Sequence, residues 1–347
     1  PASWKDLAYS KIDVVKKGDP DYIKNILRVT NAQDGDSLPV STFKGYEDGN
    51  VPSGASAYEK RGIATHVPEW KIENCIQCNK CAYCCPHATI RPFVLDEKEK
   101  AGFEDTTLDI LAPKQLKGMQ FRIQVDVLDC LGCGNCADVC PGKKGEKALV
   151  MAPFNVDAPE TVKETKNWEY MMKQVASKQD LVDLKSNPKN SQFAKPLFEF
   201  SGACSGCGET PYVRLISQLF GDREMIANAT GCSSIYGASN PSFPSYVTWD
   251  NYSFEDNPEF GYGMKIADLA MKERIVNIIN DNISLVKKSE KEIYLNYVNE
   301  QSIDNAKELL KIIDNSRIVE GEKMSKRSKK TKASIWKIIL SVLTVAL

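Results

Sequence analysis

Two stretches of this chain repeat one cysteine spacing, C-x2-C-x2-C-x3-C-P, and no other feature restricts the fold as tightly. The first copy uses Cys75, Cys78, Cys81 and Cys85 before Pro86; the second uses Cys130, Cys133, Cys136 and Cys140 before Pro141. Two-residue gaps let a tight loop aim three successive sulfurs at one inorganic core, while the fourth cysteine crosses to a second core. The spacing therefore reads as two [4Fe–4S] clusters. Cys75, Cys78, Cys81 and Cys140 would hold one, and Cys130, Cys133, Cys136 and Cys85 the other. Gly132 and Gly134 suit a backbone that curls closely around the core. Each proline redirects the chain and removes a backbone donor. Zinc held by four cysteines is the competing reading, but zinc does not require three cysteines at two-residue gaps followed by Cys-Pro, least of all twice. Cys84 has no counterpart in the second copy, where Val139 stands, and reads as a small buried residue rather than a ligand, with register exchange between Cys84 and Cys85 as the alternative.

This is the sequence pattern of two-cluster bacterial ferredoxins. All twelve cysteines lie between Cys75 and Cys232 of the 347 residues. A secreted disulfide framework would spread them through a smaller domain. No apolar export signal follows Pro1, so a reducing interior is expected. A formal net charge of −1 with 26% charged residues gives no reason to expect nucleic acid or an anionic membrane as partner. The missing initiator Met points to a fragment or a processed chain. His66 and His87 make no recognisable metal site, and a structural or tuning role is expected for them.

The length suggests more than one domain. Residues 1–70 read as a cysteine-free cap, with Tyr22–Val29 helical and turn residues from Ser37 to Arg61. Residues 71–155 carry the repeat and should form two strand–helix–strand halves, with Arg91–Gln120 as a long insertion. Residues 156–195 read as a polar connector with a helix at Glu164–Val175. Residues 196–347 form a further region. There, Ile266, Leu269, Val276, Ile279, Ile283 and Val286 recur at helical steps and should pack in a core. A second helix, Ser302–Asp314, is capped by Ser302. The basic run from Lys323 to Lys332 reads as a solvated loop. The apolar run Ile338–Leu347 is far shorter than the ~20 residues a bilayer span needs and reads as a buried element.

A third cysteine set, Cys204 and Cys207 with Cys232 downstream, is compatible with zinc, a redox pair or an iron–sulfur cluster. Here the sequence resembles the single-chain pyruvate:ferredoxin (or flavodoxin) oxidoreductases. Tyr58-Glu59-Lys60-Arg61-Gly62-Ile63-Ala64 is similar to that family's Glu-Lys-Arg signature. The segments Glu73–Asn79 and Cys85–Phe93 resemble its first cluster loop. Phe198–Tyr212 resembles the start of its thiamine-diphosphate domain, and Ser253–Met264 a run downstream of the third cysteine.

The resemblance implies a multidomain α+β and α/β chain: a ferredoxin-like two-cluster domain followed by a partial thiamine-diphosphate-binding α/β domain. It implies that Cys204, Cys207 and Cys232 bind a third [4Fe–4S] cluster whose fourth ligand is absent from this chain. Glu209 and the region of Cys232 would contact thiamine diphosphate, which carries Mg2+ in the complete enzyme. The family converts pyruvate and coenzyme A to acetyl-CoA and CO2, passing electrons to ferredoxin or flavodoxin; a homodimer is implied for the complete enzyme. Departures accompany the match. The family's N-terminal part and its Gly-Asp-Gly segment are missing, and Lys337–Leu347 does not fit. The chain therefore reads as a truncated or frameshifted product, reducible but inactive toward pyruvate alone. A cytoplasmic site is expected, with a hydrogenosome-like organelle as the alternative. A stand-alone two-cluster electron carrier is the alternative function, and the third cysteine set separates the two.

Overall fold

The computed structural model describes residues 19–323, apart from 50, 53, 222–223, 228–230, 238–247 and 251–256. The chain divides into two compact units, Pro1–Ser253 and Phe254–Leu347.

The first unit opens with a helical piece, as the sequence suggests. A π-turn over Ile23–Leu27 runs into α1 (Arg28–Asn31), and Ile23 and Ile26 are buried. The cysteine repeat then builds two matching halves. The first is β1 (His66–Trp70), α2 (Lys80–Cys84) and β2 (Ile90–Leu95). Next come α3 (Glu97–Ala101) and β3 (Leu108–Asp109), before the second half of β4 (Gln120–Val125), α4 (Asn135–Asp138) and β5 (Leu149–Pro153). The outer strands pair antiparallel, from His66 opposite Pro153 to Trp70 opposite Leu149. The inner strands pair antiparallel from Ile90 opposite Val125 to Leu95 opposite Gln120. This outer-with-outer, inner-with-inner pairing gives the two halves an approximate dyad.

Alternating residues of the inner strands fill the core: Ile90, Val94, Phe121, Ile123 and Val125 pack with Leu128, Leu149 and four buried cysteines. The insertion between the halves is shorter than the sequence suggests. Arg91–Leu95 and Gln120 are strand residues, so the excursion covers 96–119 and closes as a hairpin on β4. Asp96 and Glu99 form a capping box at the start of α3.

Residues 156–195 hold α5 (Pro159–Gln174) and α6 (Pro188–Ser191). Helix α5 begins five residues before the expected Glu164, because Pro159 occupies its first turn without wasting a donor. Met171 of α5 packs with Leu95 and Phe103. Beyond it lie α7 (Thr210–Phe220), β6 (Met225–Ala227), α8 (Cys232–Gly237) and β7 (Thr248–Asp250). Strands β6 and β7 are parallel, a pairing that requires a crossover connection.

In the second unit, α9 (Asn257–Asn282), α10 (Lys291–Asn299) and α11 (Ile303–Lys323) share a core of Ile275, Ile279, Tyr294, Tyr297, Ala306, Leu309 and Ile313. Ser302 caps α11 as expected, accepting from the Asn305 amide at 3.3 Å. The expected apolar stripe of α9 is buried only in part. Ile279 is in the core and Val276, Ile283 and Val286 pack against it, but Ile266 and Leu269 are 48% and 53% exposed. The apolar cluster that α9 shares with α10 and α11 takes in its residues from Met271 onward. Residues 324–347, with most of the basic run and all of the apolar run, lie outside the described residues. Among the described residues no helix is long and apolar enough to cross a membrane.

Candidate metal centres

The two cysteine loops reach the same backbone shape by different chemistry. In the second, Gly132 and Gly134 take φ values of +67° and +81°. A Cβ on Gly132 would sit 2.8 Å from the His66 carbonyl oxygen, so glycine is required there on two counts. The corresponding residues of the first loop are Gln77 and Asn79, at +56° and +58°. Left-handed backbone is unfavourable for both, least so for Asn. Their buried side chains offset the strain. Gln77 donates through Nε2 to the Asp109 carbonyl at 2.8 Å and accepts from the Leu111 amide at 2.9 Å. Asn79 donates to the Lys189 carbonyl at 3.0 Å. The insertion and α6 thereby hold the loop that glycine shapes in its twin.

Each loop faces a cavity. One is walled by Cys75, Cys78, Cys81 and Cys140. The other is walled by Cys85, Cys130, Cys133 and Cys136. The fourth cysteine of each copy thus lies in the wall of the other copy's chamber. Cys84 lines neither; its thiol donates to the Cys81 carbonyl at 3.5 Å. Neither wall contains a carboxylate. A larger cavity between β2, α5 and α7 has no cysteine in its wall, so size alone does not mark the metal chemistry.

None of the twelve cysteines is in a disulfide. Burial pushes the Cys81 and Cys136 thiols well up, and takes Cys130 and Cys84 to about 12. Neighbouring thiols add to each rise, Cys136 to that of Cys81 and Cys85 to those of the other three. Backbone amides already point at sulfur: Gly132 N–H to Cys130 Sγ at 3.4 Å and Ala148 N–H to Cys140 Sγ at 3.3 Å. Among the described residues no three His, Cys, Asp or Glu side chains converge closely enough for a single ion. The sulfurs ring chambers instead. Four thiols per chamber, apolar walls and amides aimed at sulfur fit a [4Fe–4S] cluster, whose potential such amides tune.

The third cysteine set is open. Cys204 and Cys232 are exposed and Cys207 is half-buried. Partial burial raises the Cys207 thiol, but the amides of Thr210 and Glu209 at the start of α7 outweigh it and hold the thiol below its ordinary value. The Tyr236 hydroxyl on α8 is pushed up by burial and then by Glu209, Cys207 and Cys232, which together face it. Glu209 itself is exposed. The loop rests on the second chamber. Ser205 Oγ donates to the Leu131 carbonyl at 3.1 Å, and a Cβ on Gly206 would lie 3.5 Å from Cys133 Cβ. His87, whose burial pushes its imidazole below the ordinary value, bridges the two through Nε2 to the Cys204 carbonyl at 3.3 Å. His66 lies exposed on β1.

Lys60 carries a contact no local pattern announces. Its ammonium pairs with Asp126 and with Asp129, the residue before Cys130. Burial pushes Lys60 down, but the two carboxylates prevail and hold it above its usual value. The cap segment is thereby pinned to the second cluster loop.

Two family models match the chain. A 4Fe-4S dicluster domain covers residues 74–144, and a domain of unknown function termed EKR covers residues 10–64. Pyruvate:ferredoxin oxidoreductase of Moorella thermoacetica is 48% identical over 292 residues, covering 81% of this chain and 24% of that protein. Pyruvate-flavodoxin oxidoreductase of Enterobacter agglomerans is 48% identical over 295 residues, or 79% and 23%. Pyruvate dehydrogenase [NADP(+)] of Cryptosporidium parvum is 44% identical over 295 residues, or 80% and 14%. The chain is homologous to one stretch of these proteins and spans a quarter or less of their length.

Proposed function

We propose that this chain, homologous to one stretch of the pyruvate:ferredoxin and pyruvate-flavodoxin oxidoreductases, is the electron-relay segment of such an enzyme. The crossed four-cysteine chambers carry this reading. Cys75, Cys78, Cys81 and Cys140 would hold one [4Fe–4S] cluster, and Cys85, Cys130, Cys133 and Cys136 the second. Bound clusters supply one-electron chemistry at low potential. The chain's own work is placement. The left-handed loop residues present the sulfurs, the apolar walls exclude water, and the crossed cysteines fix the spacing of the two sites.

Cys204, Cys207 and Cys232 would bind three corners of a third cluster, with the fourth ligand outside this chain. Glu209, close to Tyr236, would face thiamine diphosphate and its Mg2+. In the complete enzyme the third site would receive electrons from oxidative decarboxylation of pyruvate with coenzyme A, and ferredoxin or flavodoxin would take them away. A stand-alone two-cluster carrier leaves the third loop's seat on Leu131 and Cys133 without a purpose.

Anaerobic reconstitution with iron and sulfide tests the reading. A brown chain whose broad visible absorption bleaches under dithionite, and which then reduces ferredoxin or flavodoxin, is expected. A colourless chain, or one that never passes electrons on, overturns it.

A further inference from the structure

Helix α7 starts at the third cysteine loop and runs back across α2, and its most buried large side chain is charged. Arg214 is 1% exposed. Its Nη2 donates to the carbonyl of Tyr83 at 2.6 Å, at the end of α2 beside Cys84 and Cys85. Its Nε is buried without a hydrogen-bond partner among the described residues. A guanidinium remains charged even in such a place, and a lone buried cation is costly unless an anion answers it.

The contrast with Arg91 is direct. Arg91, also buried, has the Glu199 carboxylate as partner and stacks on Trp168 and Phe200. Arg214 makes no ion pair with a carboxylate among the described residues. The carbonyl it holds belongs to Tyr83, directly before Cys84 and Cys85, and the sulfurs of Cys85, Cys84 and Cys81 attract the guanidinium while Arg91 repels it. Cys85 leads that set and belongs to the chamber on which the third loop rests. A four-thiolate cluster is anionic when oxidised and more so when reduced, so a fixed nearby cation favours the reduced state.

We propose that Arg214 is the counter-charge for the cluster on Cys85, Cys130, Cys133 and Cys136, raising its potential so that it accepts electrons leaving the third cysteine loop. The proposal rests on the relay reading and deepens it: the arginine would set which of the twin clusters is reduced first.

The test is an anaerobic titration of the reconstituted full chain followed by electron paramagnetic resonance, in wild type, Arg214→Lys and Arg214→Gln. With Arg214→Gln at wild-type iron and sulfide content, one of the two couples should move negative. At the wild-type midpoint its reduced-to-oxidised ratio should fall about tenfold, which is ~59 mV for a one-electron couple. Arg214→Lys should keep the wild-type midpoint. An unchanged midpoint in Arg214→Gln, or an equal shift in Arg214→Lys, overturns the proposal. Should Arg214→Gln not retain iron, retention of both clusters by Arg214→Lys supports a charge requirement, and loss in both variants assigns a packing role and overturns it. Failure of wild type to take up clusters would instead sink the relay reading itself, so the two failures are distinguishable.

Discussion

The twin chambers and the third cysteine loop are built from the same residue type but to different degrees of closure. Each chamber gathers four cysteines from two matching halves of one domain, and Cys81, Cys85, Cys130 and Cys136 are buried. The third set presents Cys204 on its loop and Cys232 at the start of α8 to solvent, and the loop leans on its neighbour through Ser205 and Gly206. A local repeat can carry a full ligand set because both halves fold against each other. Cys204 and Cys207 lie on a loop and Cys232 on a separate helix, and no such folding of matching halves encloses them among the described residues. The lesson is that completeness of a site follows from which segments bury it, not from how many cysteines it has.

The strongest way to break this comparison is to remove a crossed ligand. Cys85→Ala should lose or convert one four-iron cluster, whereas Cys84→Val should keep the wild-type iron content, as read by iron analysis after anaerobic reconstitution. Equal behaviour of the two variants would erase the distinction drawn between adjacent thiols.

Next in size is Lys60→Met. It strands two carboxylates that are 4% and 10% exposed beside Cys130. Leaving buried charge unpaired costs about 3–5 kcal/mol, and denaturant unfolding should register it. A loss below about 1 kcal/mol would mean that the cap does not anchor the cluster loop.

The smallest contrast sharpens the difference in closure. Gly132→Ala meets both a left-handed backbone and the His66 carbonyl, while Gly206→Ala meets the backbone cost and an ordinary contact. The second should cost roughly 1–2 kcal/mol, the left-handed penalty alone, and the first clearly more. Thermal unfolding of the two variants side by side checks the order; a larger loss for Gly206→Ala would contradict it.

Much of this architecture was legible from the cysteine spacing, since the two strand–helix–strand halves follow from where Pro86, Pro141 and the glycines fall. The Ser302 cap and α11 were legible for a local reason too. Helix α10 was not. Its buried Tyr294 and Tyr297 stand among Asn296 and Asn299, poor helix formers, so packing against α9 and α11 rather than propensity sustains it. Ile266 and Leu269 have the right spacing yet remain exposed, because periodicity reports a face and not what covers it. In the site, Gln77 and Asn79 stand where the second loop has glycine, and aligning the two copies exposes that substitution. The anchoring of Lys60 to Asp126 and Asp129, the burial of Arg214 and the grouping around Tyr236 join residues far apart in sequence, and no single-sequence pattern announces them.

The central claim, two crossed four-cysteine clusters independent of the open third loop, is tested most directly by counting atoms. The triple variant Cys204→Ser, Cys207→Ser, Cys232→Ser, reconstituted without oxygen, should bind about eight iron atoms and as many acid-labile sulfides per chain. Tightly held zinc with no sulfide in that same variant would contradict the account.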